Sequence, residues 1–414
     1  MKAPAFASII PNNFVYLNML TYEYKLYRSK RNRKLDAMLR EACFVWNHAL
    51  ALQKRYYSLT GKYCSCARMK AHFAKRISRC RLHSQTVQEI LERLDESYKR
   101  FFKHLSARPP KFKRVAEFSS IVWKQGGFKL NANVFVVNSI KQHFRFSYSR
   151  PYEGKVKTVR IKRSHLGEYY LYIVTDAVAQ PYRKSHDGAS VGMDFGLKTY
   201  LSMSDGTRVE NPLFLKQGIK DLRHKSRDFS RAAYKWDRTN PDGSHPKGAH
   251  IVWESNHRKR RRIELERLHE DIRNRRDDWQ WKLSHELCRA YDTLCIEDLQ
   301  LTGMSRLWGR KMADLAFGSF VQKLEHTASK YGCKVVKIDR YYPSSKTCNV
   351  CQYVNELLTL SDRSWTCPSC GTHHDRDANA AINILRQGIV SSGSTCKTRL
   401  AEQGALVTGE SPLL

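Results

Sequence analysis

The chain has 414 residues, enough for two to four domains, and its 41% apolar and 27% charged content excludes a disordered polypeptide. No run approaches the ~18 apolar residues that a bilayer-spanning helix needs. Its 73 lysines and arginines against 39 acids leave a formal charge of +34, which repels itself in a compact fold unless a polyanion neutralises it, so nucleic acid is the leading partner.

The first segment, Ala3 to Tyr22, is uncharged and follows Lys2, but Pro11-Asn12-Asn13 breaks it and it reads as non-targeting. Thr21 to Tyr27 alternates aromatic and polar residues as a strand does, and a basic run from Arg28 to Lys34 follows. From Leu35 to about Phe102 the spacing is helical: Leu35, Met38, Leu39, Ala42, Cys43 and Trp46 recur on one face, as do Leu91, Leu94 and Tyr98. Pro109-Pro110 ends the helices. Short strands are predicted at 128–130, 134–137, 144–148, 156–161 and 169–174, so the N-terminal part reads as a basic β-rich module with a helical insertion.

A second pattern begins at Ser190. The spacing predicts a strand and hairpin over Val191 to Met203, turning near Asp205-Gly206, then one long helical segment from about Leu222. Leu265, Leu268, Ile272, Trp279, Leu283 and Leu287 form its apolar stripe, and Arg258 to Arg262 its densest basic run. A strand at 293–296, a helix at 317–331, a strand at 334–338 and a last helix near Asp375 complete the pattern. The Ser/Gly/Thr-rich tail after Gly388 is predicted to be poorly ordered.

Four of the twelve cysteines form two tight pairs, Cys348-x-x-Cys351 and Cys367-x-x-Cys370, with fifteen residues between them. Each pair puts two thiolates on one knuckle turn, and two knuckles complete a tetrahedral site for one structural Zn²⁺. His373 and His374 stand near as substitute ligands, although four thiolates close the site alone; a redox pair is the competing reading. The other eight cysteines are scattered beside apolar residues, as in a protein of the reducing cytoplasm.

Three carboxylate motifs carry the chemistry. Asp194 lies in Gly192-Met193-Asp194-Phe195-Gly196, Glu297 ends the apolar strand Leu294-Cys295-Ile296, and Asp375-Arg376-Asp377 opens the last helix. Each alone fits a helix cap or an ion pair, and Gly-x-Asp-x-Gly also occurs in sugar-kinase and actin-like ATPases. Converging on one sheet edge, they suit hard oxygen-seeking cations, and two Mg²⁺ so held activate a water and stabilise the leaving oxygen of a phosphodiester.

The order Asp194, Glu297, double CxxC, Asp375-Arg376-Asp377 resembles the TnpB (OrfB) proteins of bacterial insertion sequences, relatives of type V CRISPR effectors. Tyr342-Pro343-Ser344-Ser345-Lys346-Thr347-Cys348 through Ile384 is similar to the family's C-terminal signature, and Tyr24-Lys25-Leu26-Tyr27, Phe44-Val45-Trp46-Asn47 and Pro110-Lys111-Phe112-Lys113 match its N-terminal part. The resemblance covers roughly residues 21–386. It implies an α+β multidomain chain: a wedge β-barrel (1–33 and 106–183, with 1–18 a candidate extension and Met19 an alternative start), a helical recognition domain (34–105), an RNase H-like (RuvC) nuclease domain (184–345 and 374–388), a zinc-binding target-nucleic-acid module (346–373) and a tail (389–414).

The same resemblance implies a monomer that binds a guide RNA from the transposon end and cuts matching double-stranded DNA beside a short transposon-adjacent motif. Asp194, Glu297 and Asp377 would be its catalytic, Mg²⁺-binding acids. Helix geometry agrees with Asp377, because Ala380, Ala381 and Ile384 follow it on one small apolar stripe, whereas Asp375 is placed to cap the helix. A guide–target duplex is held by its backbone, which suits the basic runs, and Tyr22, Tyr24, Tyr27, Tyr56 and Tyr57 could stack on bases or fill the core. A compact type V CRISPR effector and an RNA-guided repressor without cleavage are the alternatives, the latter disfavoured by three intact acids.

Overall fold

The computed structural model describes residues 19–76, 81–124, 126–178, 182, 189–240, 244–246, 249, 251–359, 361–392 and 397–398. The candidate extension 1–18 and most of the tail therefore lie outside the described residues. The chain divides near residue 180 into two compact units.

The first unit opens with β1 (Met19–Lys25) and three helices, α1 (Asn32–Thr60), α2 (Cys66–Ala74) and α3 (Ser84–Phe102). Strands β2 (Ser120–Trp123), β3 (Phe128–Asn131), β4 (Val134–Val137), β5 (Gln142–Arg145), β6 (Val156–Arg163) and β7 (Tyr169–Val178) follow. They form an antiparallel sheet in the order β1-β7-β6-β2 and a β3-β4-β5 meander, linked by a Leu26–Phe146 bridge. Leu35, Met38, Leu39, Ala42, Val45, Trp46, Ala49 and Leu50 bury the whole inner stripe of α1, which Gly61 ends in the left-handed region. Two sequence motifs meet here: Asn47 bonds both backbone groups of Lys113, each at 2.9 Å, and the Trp46 indole donates to Lys111 O. Tyr22 and Tyr24 are buried in this core, while Tyr27 and Tyr57 are exposed.

In the second unit, β8 (Ala189–Phe195), β9 (Thr199–Met203) and β10 (Arg208–Glu210) form an antiparallel meander. Its first turn falls at residues 196–198, where a side chain at Gly196 would strike Thr199 O, and Asp205-Gly206 makes the second turn instead. The predicted single helical segment is two helices, α4 (Phe214–Arg231) and α5 (Asn256–Ala290), separated by a ribbon of β11 (Tyr234–Trp236) and β12 (Ile251–Glu254).

Then come β13 (Thr293–Glu297), α6 (Leu301–Leu315), α7 (Phe317–Tyr331) and β14 (Lys334–Ile338). The chain continues through β15 (Ser364–Thr366), β16 (His373–Asp375), α8 (Arg376–Ser392) and β17 (Lys397–Thr398). The central sheet runs β10-β9-β8-β13-β14, with β13 and β14 parallel to β8 and the two-residue β17 adding to β8; α8 itself runs past Gly388 to Ser392. One face of the sheet carries a core built with α5 and α7, including Met193, Leu201, Leu287, Phe320 and Leu324. The other face receives Ile384 and Leu385 of α8 against Cys295 and Ile338.

Within the Arg258–Arg262 run, three arginines have partners in the fold, while Lys259 and Arg260 are exposed. Arg258 is buried between the Phe229 and Tyr234 rings, and Arg261 and Arg262 pair with Glu264 and Glu254. Among the described residues, no helix is long and apolar enough to cross a membrane.

Candidate active site and zinc centre

Asp194 and Glu297 meet because of strand register. Met193 of β8 is level with Ile296 of β13 in a parallel pair, so the next residue of each strand, an acid, projects from the same face at the carboxyl end. Asp377 comes to them on the first turn of α8. A Cβ at Gly192 would collide with Ala381 O and Leu385 N, and one at Gly388 with the Cys295 thiol. Glycine at these two positions lets the helix backbone settle directly onto β8 and β13. The Ala380, Ala381 and Ile384 stripe is buried as its spacing requires.

Asp375 sits outside this face as a cap. Its Oδ1 accepts from Ala378 N–H at 3.0 Å and its Oδ2 from Arg208 at 3.0 Å. The two aspartates of one tripeptide thus have different surroundings.

The acids repel one another. Burial first, then the Glu297 and Asp377 charges, push the Asp194 carboxyl up to about 8, against the Arg376 guanidinium and the Phe195 N–H, which lower it. Burial also raises Glu297, and a hydrogen bond from the Ser344 hydroxyl opposes that rise. A cluster of half-buried hard oxygen donors with excess negative charge fits a divalent cation such as Mg²⁺.

The cysteines form a second centre. All four Sγ atoms of Cys348, Cys351, Cys367 and Cys370 lie within 4.8 Å of one another, which fits one tetrahedral Zn²⁺. Each knuckle is a backbone hairpin: Gln352 N–H donates to Cys348 O and Gly371 N–H to Cys367 O, with Gln352 and Gly371 at positive φ. His374 is buried against Trp365, its Nε2 3.1 Å from Cys348 Sγ, so it lies beside the four-thiol set. Burial raises the Cys348 thiol to about 12, whereas Thr372 draws Cys370 down to about 6. Among the described residues the three carboxylates form no comparably tight group.

Four residues that the sequence reading left without a role connect the two centres. Asn379 and Asn383, one turn apart on α8, both donate to Thr347 O, and Asn379 also accepts from Asn349 N–H. Arg376 pins the loop ahead of β15 by donating to Thr359 O at 2.7 Å, and Ser344 bonds Glu297. The i, i+4 spacing of the two asparagines was the only trace of this in the sequence.

Residues 172–307 match the OrfB_IS605 family model ("Probable transposase") and residues 317–384 the Cas12f1-like TNB domain. A Streptomyces pristinaespiralis protein that bears the name of an RNA-guided DNA endonuclease is 31% identical over 318 residues, 75% of this chain and 72% of its own. The chain belongs to the TnpB (OrfB) family. A TnpB-like protein of Acanthamoeba polyphaga mimivirus is 29% identical over 252 residues, of which the chain spans 45% of its relative's length. The Escherichia coli protein InsQ, which also bears the name of an RNA-guided DNA endonuclease, is 26% identical over 375 residues, 84% of this chain and 87% of its own. Among solved structures, Cas12f1 in complex with its guide RNA and target DNA matches with a TM-score of 0.53 at 13% identity, covering 86% of this chain and 83% of that one. The mini-RNA-guided endonuclease CRISPR-Casφ3 gives 0.52 at 9%, covering 92% and 94%. At these identities the likeness is one of fold: this TnpB-family chain shares the mixed α/β fold of these nucleases.

Proposed function

We propose that the chain is an RNA-guided DNA endonuclease of an insertion sequence, cutting DNA complementary to a transposon-derived guide beside a short transposon-adjacent motif. The observation that carries the reading is the level placement of Asp194 and Glu297 on adjacent parallel strands, with Asp377 brought onto the same sheet by α8. The sheet order β10-β9-β8-β13-β14, with Asp194 on β8 and Glu297 on β13, supports an RNase H-like (RuvC) domain. The sheets and three helices of the first unit support a wedge barrel with a recognition insertion. The charge of +34 supports a guide RNA and its double-stranded target as partners, bound in this reading by one monomer per guide.

Two Mg²⁺ ions, when bound, would activate the attacking water and shield the leaving oxygen. Asp194 and Glu297 would hold them from the sheet and Asp377 from the helix. The closed cysteine site takes one structural Zn²⁺ and leaves no open position for chemistry.

A compact type V CRISPR effector is the second reading, favoured by the Cas12f1-like match over residues 317–384. Expression with the flanking locus, sequencing of the copurified RNA and incubation with a matched plasmid test both. Transposon-end RNA with Mg²⁺-dependent cutting supports the first reading and array-derived RNA the second. Absence of bound RNA, or an uncut matched plasmid, overturns both.

A further inference from the structure

Ser344 lies in the connection from β14 to the first cysteine knuckle and is only 6% exposed. Every polar group it offers is engaged. Its N–H donates to Tyr342 O at 2.8 Å, its carbonyl accepts from Asn383 Nδ2 at 2.8 Å, and its hydroxyl donates to Glu297 Oε1.

The turn that carries Ser344 is held from two sides. Within it, Thr347 donates through both N–H and hydroxyl to Pro343 O. From α8, Asn383 donates to Ser344 O and to Thr347 O at 2.6 Å, while Asn379 donates to Thr347 O at 2.7 Å and accepts from Asn349 N–H at 2.9 Å. Asn349 follows the zinc-ligating Cys348, and Asn379 is two residues beyond Asp377. One clamp thus ties together the knuckle, the helix that carries the third acid, and the serine that holds the second.

We propose that Ser344 is the positioning residue for Glu297, and that the Asn379–Asn383 clamp seats it on the zinc-binding knuckle. This rests on the nuclease reading above. A glutamate side chain has three torsions, so at a strand end its carboxylate samples many directions. A buried hydroxyl bonded to Oε1 fixes one of them, so that the carboxylate would be pre-oriented when it holds a cation, as outer partners orient ligands in other metal sites. The knuckle is then more than a nucleic-acid module: its folding by zinc sets the aim of a catalytic acid 51 residues upstream of Cys348.

The test compares wild type, Ser344→Ala, Ser344→Thr and Asn379→Ser in the full-length, RNA-loaded protein. Mn²⁺ affinity is measured by electron paramagnetic resonance, alongside single-turnover cutting and zinc content. Ser344→Ala should lose roughly 10- to 100-fold in Mn²⁺ affinity and in cutting rate while keeping its zinc and RNA, and Ser344→Thr should restore both. Asn379→Ser should weaken Mn²⁺ binding in the same direction. In a Glu297→Gln background, Ser344→Ala should add no further loss of Mn²⁺ affinity, because its effect runs through that carboxylate. Wild-type Mn²⁺ affinity in Ser344→Ala, or an undiminished loss in the Glu297→Gln background, overturns the proposal. Unchanged Mn²⁺ binding in Asn379→Ser overturns the clamp. A wild-type protein that binds Mn²⁺ without cutting removes the nuclease reading and leaves the Mn²⁺ comparison to decide this one.

Discussion

The two centres of the second unit are built in opposite ways. The cysteine site draws its ligands from a span of 23 residues, on two local hairpins whose thiols meet within 4.8 Å. The acid site gathers residues 183 positions apart, from two parallel strands and a helix, and its members push one another apart electrostatically. A local site is specified by spacing and turn residues; a distant one is specified by sheet register and by two glycines, Gly192 and Gly388, that let a helix come close. The difference predicts that the cysteine site contributes to folding and the acid site works against it until a cation arrives.

The largest expected effect lies in cutting. If Asp194, Glu297 and Asp377 hold the metal as proposed, Asp194→Ala, Glu297→Ala or Asp377→Asn each removes a ligand worth several kcal/mol of transition-state stabilisation, so the rate should fall on the order of 10³-fold with RNA binding retained. A plasmid cleavage time course with near-normal rates in any of the three would break the acid half of the comparison.

Next comes folding. Cys348→Ser should release the zinc and destabilise the C-terminal half, since structural zinc contributes on the order of 10 kcal/mol in isolated fingers. Metal analysis and limited proteolysis together check this; a zinc-free native protein of unchanged protease resistance would contradict it.

A smaller effect sharpens the contrast. The Asp194 carboxyl is held near 8 in the folded protein against 3.8 in its ordinary state, so between those values the native state binds more protons than the unfolded one. Stability from this group is therefore greatest at low pH and falls as pH rises through the window, by at most about 1.4 kcal/mol per unit. In metal-free protein, the melting-temperature advantage of Asp194→Asn over wild type should grow from pH 5 to pH 8, and added Mg²⁺ should close it. A gap equal at both pH values would show that the acids are not under electrostatic strain.

Smallest of all is Asp375→Asn. Asparagine caps a helix about as well as aspartate, and the exposed pair with Arg208 is worth only about 0–1 kcal/mol. Cutting should stay within a few-fold of wild type. A loss as deep as that of Asp377→Asn would reverse the assignment within the tripeptide.

How much of this was legible follows from the same contrast. Cys348, Cys351, Cys367 and Cys370 were readable from spacing alone, and the strand at 334–338 and helix at 317–331 from short-range periodicity. The acids were readable only as an ordered set within a family resemblance, because register is not written beside them. Ser344 carried no local signal, and Asn379 and Asn383 carried only their i, i+4 spacing: a buried serine or asparagine acquires its partner from tertiary packing. The β11–β12 ribbon was absorbed into a helical reading because its strands are only three and four residues long. Helix α6 was missed, and Ala316, which turns the chain into α7 at φ 47°, lacks the glycine that normally marks such a corner.

The central claim, that Asp194, Glu297 and Asp377 share one cation site, is tested most directly by replacing Mg²⁺ with Fe²⁺ and generating hydroxyl radicals with ascorbate and peroxide. Radicals formed at a bound ion cut the polypeptide nearby. Cuts near all three acids, all suppressed by excess Mg²⁺, are the predicted result. Cuts at only one of them, or cuts that Mg²⁺ leaves unchanged, would contradict it.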